Sequence, residues 1–322
     1  TLGIKNRYRK FRKTRVRTNP GFSSIQGVMQ VLEKIKSKSL IKWYFILPTI
    51  IFFLIMVIFP MIWALRLSFF NWHAIIGPRM DFVGLRNFYD ILKDERFWGD
   101  LQFTLFYVGM VVIIELSLGL GLASLLNRKF RFRNFFRIIY LLPMTAPPIA
   151  VAALWRMLLQ PDEGVINKLL VAVGLPVVKW TTDPGIARMS LVMVDVWQWT
   201  PFMLLALLAA LQSMPQDIYD AAAVDGASPG QTFLHITIPL LSPIITTLIL
   251  LRAIDAFKLF EYTYGITGGG PAGRTESLSY YIYLRGLSYF DMGYASALSW
   301  VFLLIVLGIS LFVLKSIRRE MR

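Results

Sequence analysis

Apolar residues fall into six long runs separated by polar stretches: Trp43–Leu65, Leu101–Leu126, Ile138–Leu159, Ile186–Leu211, Leu240–Tyr264 and Met292–Leu314. As helices rising ~1.5 Å per residue, each is long enough to cross about 30 Å of hydrocarbon. A bilayer core offers backbone groups no water, so a chain of such runs is expected to span it as helices. The pattern predicts an all-α integral membrane protein with six transmembrane helices. Prolines inside the runs, at Pro48, Pro60, Pro143, Pro147, Pro148 and Pro201, predict kinks. Polar loops are expected over Phe70–Asp100, Asn127–Arg137, Gln160–Gly185, about 212–243 and Gly265–Asp291.

Composition narrows the class. The 322 residues are 56% hydrophobic and only 16% charged, with a mean hydropathy of +0.57, which excludes an ordinary soluble domain. There is no cysteine, and His73 and His235 are the only histidines. Disulfides and thiolate metal sites are thereby excluded, and no metal site is expected. The net charge of +15 raises the possibility of nucleic acid. The placement of the charge argues for a membrane instead. Counting spans from the N-terminus, 21 Lys and Arg fall in segments assigned to one side and 9 on the other, with Arg188 at the start of the fourth run counted among the latter. Excess Lys and Arg marks the cytoplasmic side, so both termini are expected in the cytoplasm and no nucleic-acid partner is expected. Residues 1–42 read as a basic cytoplasmic tail, with Lys5 to Arg17 carrying eight cations and no acid. A solvated arm is the simpler reading, contact with anionic membrane lipids the alternative. Its length and charge do not suit a cleaved signal peptide. The membrane domain is then 43–322.

Between the fourth and fifth runs lies Asp220-Ala221-Ala222-Ala223-Val224-Asp225-Gly226, ten residues before Ile236-Thr237-Ile238-Pro239. Asp217–Val224 reads as a short helix stopped by Gly226, then a turn at Ser228-Pro229-Gly230, then a second helical face from Phe233. This spacing resembles the EAA loop of permease subunits of ATP-binding-cassette importers, with Asp220 where Glu is usual and Ile238 where Leu is usual. Phe82-Val83-Gly84-Leu85-Arg86-Asn87-Phe88, Gly164-Val165-Ile166-Asn167, Thr267-Gly268-Gly269-Gly270-Pro271 and Gly293-Tyr294-Ala295-Ser296-Ala297 resemble stretches of the carbohydrate-importer permeases, the last two those of the maltose-type first permease. The resemblance implies a type I importer permease core. It implies Asp220, Ala221, Ala222, Asp225, Gly226, Ile236 and Pro239 as the ATPase-coupling residues. It also implies four kinds of partner: a second, different permease, two ATPase subunits carrying ATP and Mg, a periplasmic solute-binding protein and a carbohydrate substrate. The location implied is the bacterial inner membrane. The chain itself is expected to be no enzyme and to hold no cofactor. Gly268–Thr275 nearly fits a phosphate-binding loop, but Arg274 stands where Lys belongs, no strand precedes it, and it lies outside by topology.

The fifth run is unusually polar, holding Arg252, Asp255, Lys258, Glu261 and Tyr262, with 255, 258 and 262 on one helical face. Ionisable groups in a span commonly face a water-filled path, and these residues are candidates for the substrate path. The plainer reading is internal pairing of Arg252 with Asp255, and of Lys258 with Glu261 or Asp255. Glu115 and Asp195 stand as lone acids in the second and fourth runs. Arg156, Arg252 and Lys258 would suit an acidic oligosaccharide such as an alginate fragment. An intramembrane enzyme is the competing class, and Asp195 with Asp255 would be its carboxylate pair.

Overall fold

The computed structural model describes residues 43–320 except 76, 78, 128–130 and 132; the tail read over 1–42 lies outside them. The chain falls into two units, Thr1–Trp63 and Ala64–Arg322. Helix α1 (Trp43–Leu67) contains a π-helical turn at Leu54–Ile58, closed by the Phe59 N–H on the Leu54 carbonyl. Pro60 follows immediately, so the wide turn absorbs the backbone bond that proline cannot make.

In the second unit, a two-stranded antiparallel sheet, β1 (Phe70–Asn71) and β2 (Asp81–Phe82), and helix α2 (Arg86–Lys93) occupy the expected polar loop. Helix α3 runs over Glu95–Asn127, beginning six residues before the apolar run does. It does so because Phe97 and Leu101 are buried with Ile91, Leu278, Tyr281 and Leu298. Helix α7 (Pro184–Gln212) packs along α3. Asp183 caps it, accepting from the N–H groups of Gly185 (2.9 Å) and Ile186 (3.0 Å). Gly119 lets the two backbones meet, since a Cβ there would lie 2.6 Å from the Met203 Cβ.

The third apolar run is not one straight helix. It divides into α4 (Arg133–Thr145) and α5 (Pro148–Leu158), bent by 97°. Pro147 and Pro148 remove two donors in succession, and Gln198 of α7 donates to the Ala146 carbonyl at 2.9 Å. Helix α6 (Val165–Ala172) follows, then α7, then α8 (Gln216–Val224). Helix α9 (Pro229–Ala256) contains a second π-turn, Phe233–Thr237, again one residue short of a proline, Pro239. Among the described residues, five helices are long and apolar enough to cross a membrane, or six if the bent pair is one span. The last of them, α11 (Met292–Glu320), follows α10 (Leu278–Tyr283) and a π-turn at Leu284–Ser288.

The fifth run departs from its expected form. Helix α9 stops at Ala256, eight residues short of Tyr264. The carbonyls released beyond that end are taken by hydroxyls of α10 and its cap: Ser279 donates to Phe257 O at 3.2 Å, and Ser277 donates to Leu259 O. A π-turn, Thr263–Thr267, then ends at Gly268 with φ 60°. Asp255, Lys258 and Tyr262 therefore do not share a helical face, because the helix that would carry them has ended.

Candidate functional site

The irregular backbone after Ala256, the break at Ala146 and the middle of α3 and α7 surround a pocket of about 140 Å³. Irregular backbone at membrane depth is tolerated where it lines a cavity. Arg252, Asp255, Lys258, Glu261 and Tyr262 all line this pocket, together with Tyr107, Asp195 and Trp199.

Arg252 is 3% exposed and sits among acids from three helices. Its Nε donates to Glu115 at 2.7 Å, and its Nη2 to Glu115 at 3.0 Å and to Asp195 at 2.5 Å. Asp255, one turn along α9, is more distant at 3.5 Å. Tyr107 donates to Asp195 at 2.7 Å, and the guanidinium lies 5.5 Å from the centre of the Trp199 ring. The expected Arg252–Asp255 pair is thus secondary, and the two lone acids are the principal partners. The reason is burial: in a low-dielectric interior the guanidinium fork is held bidentately by Glu115 and by one further bond to Asp195. In the sequence Glu115, Asp195 and Arg252 stand in three different apolar runs. The scarcity of ionisable groups in the spans was the signal that could have joined them, since such groups generally pair.

Lys258 differs. Its side chain is 70% exposed, and its ammonium meets Asp255 at 2.7 Å. Glu261, the other expected partner, has no ion pair with it within 4 Å. Beside this, Trp199 Nε1 donates to the Tyr262 hydroxyl at 3.1 Å, and that hydroxyl donates to Gln198 Oε1 at 2.7 Å. Gln198 in turn donates to Ala146, so one chain of hydrogen bonds joins the α4–α5 break, α7 and the segment after α9. Gln198 and Trp199 were not picked out as site residues, and nothing local in the sequence distinguishes them. The carboxylates Asp195 and Asp255 both face Arg252, which is the arrangement of an ion cluster rather than of an acid–base pair.

The loop region about 212–243 lies at the opposite end of α9 from Arg252. Helix α8 ends in a Schellman turn: Gly226 N–H bonds to Ala223 O and Ala227 N–H to Ala222 O, with Gly226 at φ 75°. Asp220, Ala221 and Asp225 are exposed, and Ala222 is buried. Val224 is 87% exposed, and Leu234 is also exposed, so the loop presents apolar side chains outward. The expected turn at Ser228–Gly230 is instead the start of α9: Ser228 and Gln231 form a capping box, and Pro229 takes the first position. Tyr219 ties α8 to α9 through its hydroxyl, 3.3 Å from Thr237 Oγ1. Ile236 is half-buried one residue before Thr237, and Pro239 is exposed.

Residues 115–318 match the family of binding-protein-dependent transport system inner membrane components. The chain belongs to this family: it is an inner-membrane permease of the ABC transporter class. It is 37% identical over 273 residues to the trehalose/maltose transport system permease protein MalF of Thermococcus litoralis, covering 84% of this chain and 91% of that one. It is 31% identical over 282 residues to the arabinooligosaccharides transport system permease protein AraP of Bacillus subtilis, covering 87% and 89%. Its fold matches a chain in the crystal structure of a bacterial ABC transporter involved in the import of the acidic polysaccharide alginate. There the TM-score is 0.79 at 28% identity, covering 91% of this chain and 100% of that one. A related structure holds that transporter with a periplasmic protein bound to alginate pentasaccharide, with TM-score 0.78, 28% identity and coverage of 89% and 97%.

Proposed function

We propose that the chain is one of two different permeases forming the pore of an ATP-driven carbohydrate importer, fed by a periplasmic binding protein. Both termini lie in the cytoplasm, the membrane domain is 43–322, and the loop at about 212–243 is the docking point for ATPase subunits. Those subunits bind ATP and Mg; this chain carries no nucleotide site of its own. One observation carries the reading: α9 joins the exposed α8 loop at one end, through Tyr219 and Thr237, to Arg252 and Asp255 in the pocket at the other. Movement of α8 by a closing ATPase would be transmitted along α9 to the pocket wall, as alternating access requires.

Gly226 tests this. Its positive φ disfavours any side chain, although a Cβ would meet nothing within 4 Å, so the strain is confined to the backbone of the α8 stop. Gly226→Val should leave membrane insertion intact and lose transport, measured as uptake and substrate-stimulated ATP hydrolysis in proteoliposomes. An assembled variant transporting at the wild-type rate would sink the coupling assignment.

The charge balance of the pocket favours an uncharged carbohydrate. Arg252 is held by two acids and Lys258 by Asp255, while Arg156 is exposed and is not among the groups lining the pocket. With Asp195, Asp255 and Glu261 in its wall, the pocket has no excess of positive charge. A second reading, an acidic oligosaccharide, is favoured by the likeness to the alginate importer. Uptake of maltotriose and lactose against alginate fragments by the reconstituted importer separates the two.

A further inference from the structure

A second, larger cavity of about 880 Å³ lies at the other end of α7 from the α8 loop. Arg188, near the start of α7, lines it, while Gln212 ends the helix 24 residues later. At ~1.5 Å per residue this puts the cavity about 35 Å along the helix from the loop. The cavity wall comes from the first turns of α3, the glycine-rich connection before α10, and α10 itself.

Three features of this wall bear on what could occupy it. Its ionisable groups are three acids, Glu95, Asp100 and Glu276, and three guanidinium groups, Arg96, Arg188 and Arg274. They offer both donors and acceptors. Three of them have protein partners: Arg96 forks onto Glu276 at 2.6 and 3.1 Å, and Arg188 Nε donates to the Arg274 carbonyl at 2.7 Å. Of the three that do not, Glu95 and Arg274 are exposed and Asp100 is buried. It is 3% exposed, and its Oδ2 is buried without a hydrogen-bond partner. A buried acceptor left without a donor is costly, and native structures seldom keep one without a use. Finally, Tyr280 supplies an aromatic wall, backed by Phe260, Tyr264 and Tyr283 at ring distances of 6.2, 6.3 and 6.0 Å. Polar groups that accept and donate, set beside an aromatic ring, are what a sugar needs: hydroxyls around its rim and an apolar face of C–H groups.

We propose that this cavity is a receiving site for carbohydrate, distinct from the inner pocket, in which Asp100 accepts hydrogen bonds from sugar hydroxyls and Tyr280 lies against the sugar ring. The proposal rests on the carbohydrate-import reading above.

The absence of native cysteine makes the site open to a labelling test. Gly99 lines the cavity, and a Cβ there meets nothing within 4 Å, so Gly99→Cys is a mild reporter. Glu261→Cys reports on the inner pocket, and Ser228→Cys, on the α8–α9 loop, is the inside control. Each would be placed in the complete importer, its partner subunits freed of cysteine, in proteoliposomes with the binding protein. An impermeant maleimide is then added with maltotriose, lactose or an alginate trisaccharide. At least one of these sugars should slow labelling at Gly99→Cys. Asp100→Asn, or Tyr280→Ala as a second variant, should raise the sugar concentration needed there about tenfold, the equivalent of one hydrogen bond, and leave protection at Glu261→Cys unchanged. Protection at Glu261→Cys without protection at Gly99→Cys overturns the receiving site alone. Failure of all three sugars at both positions overturns it together with the carbohydrate reading. A Gly99→Cys that never labels in the complete importer, or labels only with Ser228→Cys from the inside, shows a covered or inward cavity and also overturns it. Protection at Gly99→Cys that survives both variants removes Asp100 and Tyr280 from the site.

Discussion

Among the described residues, a buried cluster of charge and aromatic rings and a half-buried one are satisfied to different degrees. One is the Arg252 cluster in the inner pocket. The other stands where α2, α3, α10 and α11 meet: Asp94 accepts from the hydroxyls of Tyr281 and Tyr294, the latter at 2.7 Å, and from the Arg96 N–H at 3.0 Å. Arg285 donates to the Tyr281 hydroxyl at 2.9 Å, and its guanidinium lies 4.5 Å from the centre of the Tyr294 ring. Burial works against the Asp94 charge, but the hydrogen bonds from Tyr281, Tyr294 and Arg96, with the Arg285 charge, outweigh it and hold the carboxyl below its usual range. Burial and the Asp94 carboxylate push the Tyr281 phenol up to about 12, so it stays a donor at any working pH. Both oxygens of Asp94 are engaged. In the Arg252 cluster, Asp195 Oδ1 is buried without a partner, and the cluster forms a cavity wall. A completed network fixes a fold, whereas an incomplete one beside a cavity leaves an acceptor for something that arrives. The first reads as a staple and the second as part of the working pocket.

The largest expected effect comes from breaking the inner cluster. Arg252→Met leaves Glu115 and Asp195 buried without their cation, and removing one partner of such a pair destabilises by about 3–5 kcal/mol. The importer should fail to assemble, read by size-exclusion chromatography of the purified complex. Adding Glu115→Gln and Asp195→Asn should restore assembly, because no unpaired charge then remains, but should not restore transport. Transport recovering along with assembly would make the cluster another staple and erase the contrast.

How far the sequence revealed this contrast depended on how local each feature is. The apolar runs carried the helices, and Asp217–Val224 with Gly226 carried the α8 stop, because capping and periodicity act over a few residues. The end of α9 at Ala256 was hidden, since the hydroxyls that replace its helical bonds come from Ser277 and Ser279, 18 and 22 residues beyond the Leu259 and Phe257 carbonyls they take. The partners of Arg252 were hidden for the same reason, with Glu115 137 residues away and Asp195 57. The 97° bend in the third run was half legible: three prolines announced a kink, but the donor that makes it tolerable, Gln198, lies 52 residues on.

A smaller effect is expected from the outer cluster. Asp94→Asn keeps an acceptor for one tyrosine hydroxyl and loses the charge-assisted bonds, a loss of about 1–3 kcal/mol. Thermal unfolding of the purified complex should shift down while uptake per assembled complex stays at the wild-type rate. The pH dependence has a definite sign. A carboxyl whose folded pKa lies below its unfolded value stabilises fully above the unfolded value, about 4, and the gain disappears as pH falls through the folded one. The gap between wild type and Asp94→Asn should therefore be constant from about pH 5 to 8 and close below about pH 4. A gap that grows on acidification would contradict the assignment. Lost uptake in an assembled Asp94→Asn complex would move this cluster into the working machinery.

The smallest effect on stability, and the sharpest on function, is expected at Lys258. Its pair with Asp255 is largely exposed, and such pairs contribute about 0–1 kcal/mol, so Lys258→Ala should leave assembly and thermal unfolding almost unchanged. Two roles remain for the lysine. If its ammonium only neutralises Asp255, then Lys258→Ala lowers uptake by leaving that acid unpaired, and adding Asp255→Asn brings uptake back. If the ammonium is itself a donor in the substrate path, the double variant stays deficient, because nothing replaces the hydrogen bonds it gave. The geometry favours the second role, since Asp255 keeps Arg252 at 3.5 Å when the lysine is gone and is not left without a cation. The expected result is therefore a double variant that assembles, hydrolyses ATP at the basal wild-type rate and fails to recover uptake; Lys258→Ala with Glu261→Gln should behave alike. Uptake returning to near wild type in either double variant would remove Lys258 from the path and leave the inner pocket resting on Asp195, Trp199 and Tyr262.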